Sequence, residues 1–307
     1  MPHHDLEYPK NARNTVIRKG KDRGGYLIIQ IFYQNKKYRI SLTLPGKYDL
    51  ATVHTIINTA MVVHVSFSPA PNDPYPAILP MIGVMGSFDR PSADLDEPLD
   101  CYLHGYVSSR IMNLSRASAS TASEPSSDSK EETPKGLPVC IAASKVDGIV
   151  LALTPNSHSY NYRSAILFGH ALPVTSVEEK LWAMELITNK VVPGRWDGSR
   201  VPPNASEMQS TNILRVKIDT GSAKIRAGPP ADSSWDLESE EVLDRVWTGF
   251  VPLTESLGTP VPSVYNRVEA VPEHVEEARR AFNRAAEEYA KALAGKVAGT
   301  KVMYGDI

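Results

Sequence analysis

The chain has 307 residues, 42% of them hydrophobic, which is enough for a buried core and excludes disorder throughout. Its 33 Lys and Arg stand against 35 Asp and Glu, so a net charge of −2 leaves no global basic field to hold nucleic acid or an anionic membrane. No apolar run reaches the roughly 18 residues of a membrane span, the N-terminus is polar, and Cys101 and Cys140 make no disulfide framework, which together point to a cytoplasmic protein.

Residues 1–24 are polar and basic-leaning, with His3-His4 near the start, and read as a tail. Residues 25–46 hold two apolar runs, 27–32 and 38–44, around Asn35-Lys36-Lys37, the pattern of a β-hairpin. Residues 49–60 predict a helix with Asp49 as N-cap and Val53, Ile56, Ile57 and Ala60 on its buried face. A strand over 61–68 follows, in which His64 is a strand-face residue, and after a Pro/Asn/Asp loop a second strand over 75–86. Pro80 removes a ladder donor and marks that strand as an edge or a bulge.

Residues 99–106 predict a strand, and Ser108-Ser109-Arg110 opens a short helix through Leu114. Residues 116–135 are low-complexity Ser, Ala, Glu and Pro, a surface loop inside the domain. Two strands, 138–144 and 149–153, are expected around a tight turn at Val146-Asp147-Gly148. They lead into the most informative stretch, residues 158–169, HSYNYRSAILFG. Alternation there puts Tyr162, Ser164, Ile166 and Phe168 on one face, with Arg163, Ala165 and Leu167 on the other. Asn161, Arg163 and Ser164 at the mouth of an apolar strand either meet water or face a ligand, because burying them unpaired costs a few kcal/mol.

A helix over 176–191 carries a capping box, Ser176 with Glu179, and an apolar stripe of Leu181, Met184 and Ile187 widened by Trp182 and Leu186. A loop bearing Pro193-Gly194-Arg195-Trp196 precedes a strand over 212–219. A short helix over 236–246, a closing segment over 247–253 and an amphipathic helix over 273–293 complete the chain. The last has the stripe Val275, Ala278, Phe282, Ala285, Tyr289 and Ala292, and packs either on its own chain or on a partner.

Residues 158–169, with Tyr102-Leu103-His104-Gly105 before them and Ser222-Ala223-Lys224-Ile225-Arg226 after, resemble the flavin-nucleotide-binding, nitroimidazole-resistance-related branch of the pyridoxamine 5'-phosphate oxidase-like family. The resemblance runs from about Tyr48 to Asn266 with its motifs in order. It implies a mainly β fold with flanking helices, an FMN-binding split β-barrel, and a homodimer with FMN at the subunit interfaces. The chain then divides into a tail (1–47), a barrel (48–256) and a C-terminal extension (257–307). In relatives the run near Asp22-Arg23-Gly24 continues directly into one like Lys47-Tyr48-Asp49, which marks residues 25–46 as an insertion.

The same resemblance implies the cofactor residues. Met81 lies in the segment beside the flavin ring. Ser109 and Arg110 lie where the FMN phosphate is held, and hydroxyls followed by arginine at a helix start suit an anion. Tyr162, Arg163 and Ser164 form a second group, although adjacent strand residues point opposite ways and one ligand cannot take both Arg163 and Ser164 without a bulge. His104 is either a flavin or substrate contact or a structural histidine. Lys224 and Arg226 either supply positive charge to the flavin or are surface charges. No catalytic acid or base is assigned. Phosphate-loop, dinucleotide-fold and nucleophile-elbow patterns are absent, and Cys101, His104 and Cys140 lack zinc-site spacing, so no metal is expected. The expected activity is flavin-dependent oxidoreduction of a small molecule, with a flavin- or haem-binding protein without turnover as the alternative.

Overall fold

The computed structural model describes residues 6–8, 27–33, 36–42, 48–70, 73–120 and 136–298. His3, His4 and most of the Ser-rich loop lie outside them. Among the described residues are ten strands: β1 (Leu27–Tyr33), β2 (Lys36–Leu42), β3 (Val63–Phe67), β4 (Ala77–Met81), β5 (Gly83–Gly86), β6 (Asp100–Tyr106), β7 (Leu137–Leu151), β8 (Ser159–Pro173), β9 (Thr211–Arg226) and β10 (Gly249–Pro252). Seven helices accompany them: α1 (Leu50–Thr59), α2 (Arg110–Ser120), α3 (Val177–Val191), α4 (Ala205–Ser210), α5 (Ser234–Leu237), α6 (Glu240–Arg245) and α7 (Glu273–Val297).

The main sheet has eight strands in the order β4-β3-β7-β8-β9-β6-β5, with β10 on β7, and its ends do not close. Open antiparallel strands with flanking helices are the split-barrel arrangement. β1 and β2 pair only with each other, from Leu27↔Leu42 to Tyr33↔Lys36, as a separate two-stranded sheet. Among the described residues no helix is long and apolar enough to cross a membrane.

Contacts divide the chain into two compact units. The first comprises Met1–Ile17, Gly46–Ala143 and Ser164–Ala223; the second comprises Arg18–Pro45, Ser144–Arg163 and Lys224–Ile307.

The first unit is built on α1. Asp49 caps it, accepting from the Thr52 amide at 2.9 Å, as its sequence predicts. The helix is buried on nearly every side, not on one stripe, so its polar side chains must find partners. His54 Nδ1 faces the Leu95 carbonyl at 2.8 Å, and Asn58 Oδ1 accepts from the Met85 amide at 2.8 Å. Its C-terminal carbonyls are held by Lys190 of α3, whose Nζ donates to Ile57, Asn58 and Ala60 at 3.1, 3.2 and 2.8 Å. A cation at that end also meets the negative pole of the helix dipole. Lys190→Met is therefore expected to cost about 1.5–3 kcal/mol in urea unfolding, with Lys190→Arg recovering part. An unchanged midpoint for the methionine variant would show that water replaces the ammonium.

α3 packs on β5, β6 and β9 around Val84, Tyr102, Ala183, Ile187 and Ile213. Its most buried positions are Glu179, Ala183 and Ile187, one face at i, i+4, i+8, while Leu181 and Met184 are half-buried. Ser176 caps the helix through the Glu179 amide, but Glu179 does not complete the expected box. Its carboxylate instead accepts from Tyr102 Oη at 2.9 Å and Arg215 Nη1 at 3.1 Å, a stronger demand in a buried site. The reciprocal box occurs at Asn204 and Glu207.

Other expectations are corrected by the tertiary pairing. The strand expected over 75–86 is two strands, β4 and β5, which break after Met81 and lie at opposite ends of the hydrogen-bonded order. β4 is an edge, which tolerates Pro80. The helix opened at Arg110 continues to Ser120, and the helix expected over 236–246 is α5 and α6.

In the second unit no turn occurs at Val146-Asp147-Gly148, because β7 runs straight through it. The glycine is needed for a different reason. Gly148 has φ 155° and pairs with Pro252 of β10, and a Cβ there would lie 2.2 Å from the Phe250 ring. The end of α7 docks within this unit: Tyr289, Ala292 and Leu293 bury against Ile225, Ala227 and Phe250. The C-terminal helix therefore packs on its own chain.

Candidate functional site

β6 ends at Tyr106, and a short turn delivers the chain into α2. That turn is tied at several of its peptides. The Ser109 amide donates to Tyr106 O at 2.9 Å, the Val107 amide donates to Ser210 O at 3.1 Å, and Arg116 Nη2 donates to Val107 O at 2.8 Å. The backbone is thus fixed before any ligand arrives.

Gly105 lets α2 lie close to β6. A Cβ at this position would come within 2.9 Å of Met112 Cε, 3.7 Å of Met81 Cε and 3.8 Å of Ser109 Oγ. Met81 and Ser109, far apart in sequence, are brought together around this glycine. Ser109 immediately precedes α2, where a serine ordinarily caps the first-turn amides. Its Oγ is buried and has no hydrogen-bond partner among the described residues. An orphan hydroxyl at that depth costs about 1–3 kcal/mol. The next residue, Arg110, is exposed and makes no ion pair among the described residues. A buried hydroxyl without a partner and an exposed guanidinium without an ion pair, among the described residues, are thus adjacent at the start of an eleven-residue helix, and this donor set fits a phosphate group.

His104 stands apart from that group. It faces Ile213 across the β6–β9 ladder and shares its strand face with Tyr102 and Tyr106, whereas Gly105 points the opposite way. Its imidazole is on the sheet surface, and desolvation by surrounding protein lowers its pKa below the ordinary histidine value.

On β8 the residues at 161, 163, 165, 167 and 169 are buried, and Tyr162, Ser164, Ile166 and Phe168 form the more open face. The alternation expected from sequence is therefore present, and Tyr162 and Ser164 are on the accessible side. Lys224 brings its ammonium 5.4 Å from the centre of the Tyr162 ring. Arg163 is on the buried side. Its Nε lies 3.2 and 3.0 Å from the two Asp147 oxygens, its Nη2 lies 2.6 Å from Oδ1, and its guanidinium stacks 3.7 Å over the Tyr289 ring. That charge is already neutralised within the second unit. Asn161 is likewise bonded, accepting from Arg226 Nη1 at 2.6 Å and the Gly228 amide at 3.1 Å, so Arg226 closes a turn.

Sequence reasoning placed Asp147 in a turn, Tyr289 in an apolar stripe and Glu179 in a capping box, and missed their polar partners. The one signal available for Asp147 was its partner: an arginine inside an apolar strand needs a buried counter-charge. Among the described residues no group of three or more His, Cys, Asp or Glu is placed to hold a metal ion.

Against known proteins, the family model for pyridoxamine 5'-phosphate oxidase matches residues 49–225, more than half of the chain. No curated protein matches. Among solved structures, the FAD and heme binding protein from Mycobacterium smegmatis superposes with a TM-score of 0.59 at 22% identity, covering 77% of this chain and 98% of that one. The flavocytochrome Anf3 from Azotobacter vinelandii gives 0.56 at 22% identity, covering 76% and 92%. These likenesses show the fold, and they cover nearly all of both proteins. With its open antiparallel sheet, and a family match that begins at the cap of α1 and ends in β9, the chain belongs to the pyridoxamine 5'-phosphate oxidase-like family.

Proposed function

We propose that this protein binds a flavin nucleotide by its phosphate at the β6–α2 junction and acts as a flavin-dependent oxidoreductase, working as a homodimer. The observation that carries the reading is Ser109 Oγ, buried at the start of α2 without a partner among the described residues and followed by Arg110, which makes no ion pair among them. Ser109 would donate its hydroxyl proton to a phosphate oxygen, the first-turn amides would add further donors, and Arg110 would supply a charge-assisted fork. Met81 and Met112 give that junction an apolar, polarisable wall. Tyr162 and Lys224 present an aromatic face and a cation on accessible positions of the second unit, and Ser164 a hydroxyl, the second group that the resemblance implies. A bound flavin supplies reversible acceptance of one or two electrons, and the chain's own residues position it and exclude water.

FMN is the flavin that the sequence resemblance implies. FAD is the flavin of the Mycobacterium smegmatis protein. Both carry a phosphate, and extraction from the purified protein followed by chromatography distinguishes them. The second reading is a flavin- or haem-binding protein without turnover, and its haem form is suggested by the names of both solved proteins, a FAD and heme binding protein and a flavocytochrome. A Soret band without flavin absorbance would establish it, whereas a flavin spectrum bleached by a nicotinamide nucleotide supports an enzyme.

Arg110→Ala is expected to weaken binding of the flavin nucleotide by about one to two orders of magnitude, corresponding to roughly 1.5–3 kcal/mol, while riboflavin, which has no phosphate, is affected far less. Arg110→Lys should recover only part, since a point charge replaces a planar fork. Equal losses for nucleotide and riboflavin would make Arg110 a structural residue. No loss for either would move the phosphate elsewhere on the chain.

A further inference from the structure

The family match ends at residue 225, yet the chain continues through β10 into a long connection before α7. That connection belongs to the second unit, but beyond its start it is exposed. Its start is pinned: the Leu253 amide donates to Asp147 O at 3.1 Å, Lys145 pairs with Glu255 at 2.9 Å, and Leu257 exchanges two hydrogen bonds with the Asn283 side chain at 2.7 and 3.0 Å. From Gly258 to α7 there is no helix or strand, and every residue but Pro260 is exposed.

The composition is wrong for a free surface loop. The run 258–272 reads GTPVPSVYNRVEAVP, with only Arg267 and Glu269 charged, and they cancel. Val261 is 88% exposed, Tyr265 is 84% exposed, and Val264 is fully open. Leu257, Val268 and Val271 extend the same apolar run. Three prolines, Pro260, Pro262 and Pro272, limit the unfolded alternatives of the segment and lower the entropy lost when it docks.

We propose that residues 258–271 are a strap that closes over a second copy of this chain. The inference rests on the homodimer reading above and adds the element that fastens it. Area selects the occupant. The five large apolar side chains of the strap, with Leu257 at its root, offer on the order of 700 Å² at these exposures, close to the roughly 800 Å² per partner of a standard interface. A two-fold pair exchanges two straps, and each also covers surface on the other copy. The total then reaches about 2,800 Å², the range of obligate homodimers. Depletion of charge with retention of valine and tyrosine is the character of an interface core, not of a rim exchanging among transient partners.

Sedimentation velocity on the full chain over a dilution series tests this, with wild type beside Val264→Ser/Tyr265→Ser and a variant whose residues 260–269 are replaced by a Gly/Ser linker of equal length. Wild type is expected to be a dimer. Both variants should dissociate at least about a hundredfold more readily, with unchanged circular dichroism because the segment touches little of its own unit. Protease cleavage within 258–271 should be slow in the dimer and fast in the variants. A wild-type monomer would overturn the homodimer reading itself. A wild-type dimer whose stability neither variant alters, or a strap cleaved equally fast in all three, would overturn the strap while leaving the dimer standing.

Discussion

Replacing Arg163 by methionine is expected to destabilise the protein by about 3–5 kcal/mol, the largest single effect available in the second unit. Arg163 and Asp147 are both buried, and each satisfies the other through three contacts between 2.6 and 3.2 Å. Methionine matches much of the arginine's volume, so the loss reports charge rather than a cavity. It leaves the Asp147 carboxylate without a counter-ion in a site where water does not reach. The neutral variant Asp147→Asn should cost less than Arg163→Met, because the arginine left behind keeps the face of Tyr289, 3.7 Å away. Arg163→Met/Asp147→Leu should recover most of the stability, since well-packed apolar replacements of a buried pair are often close to neutral. Chemical unfolding of wild type, Arg163→Met, Asp147→Leu and the double variant gives the coupling directly. A double variant no better than Arg163→Met would show that the guanidinium serves the Tyr289 contact, and through it the docking of α7, more than the carboxylate.

Lowering the pH from 7 to 4 is expected to remove about 3 kcal/mol through His54 alone. Burial lowers its pKa from the ordinary 6.5 to about 4, against the opposing pulls of the Leu95 carbonyl and Asp49. A carbonyl can only accept, so Nδ1 carries the proton that meets Leu95 O. The bare Nε2 then accepts from Tyr8 Oη at 2.7 Å. The folded protein therefore holds the neutral ring, whereas the unfolded chain protonates near 6.5. The contribution is fully present above pH 6.5 and is lost progressively as pH falls to about 4, at which point the folded form protonates as well. Unfolding free energies measured at half-unit intervals should show this slope, and His54→Phe should flatten it while lowering stability throughout, because the Tyr8 and Leu95 groups lose their partner. A slope that survives the substitution would assign the acid sensitivity to other groups. Asp100, which burial drives upward, contributes with the opposite sign.

Much of the architecture was legible because it depends on short-range physics. Asp49 before a 3.6-period apolar run caps α1, Ser176 caps α3, and the paired apolar runs on either side of Asn35 form the β1–β2 hairpin. The two-residue alternation of 158–169 assigns the faces of β8 as observed, whereas the split-barrel fold was implied by family resemblance. At the junction that is offered as the phosphate site, Ser109 and Arg110 were readable from their place at a helix start.

Tertiary structure decided what each polar group is for, since that depends on partners remote in the chain. Asp147-Gly148 has the local chemistry of a turn. It is held extended because β10 pairs alongside it and Arg163 requires its carboxylate. Glu179 is spaced to complete a capping box, but Tyr102, 77 residues away, takes it inward. Local sequence also joined β4 to β5, whereas sheet pairing sends them to opposite ends. Arg163 and Arg110 are the same residue type in similar polar company. Only the fold makes one a buried structural charge and leaves the other open beside an unused hydroxyl, because burial and counter-charge are properties of the assembled chain and not of any stretch of it.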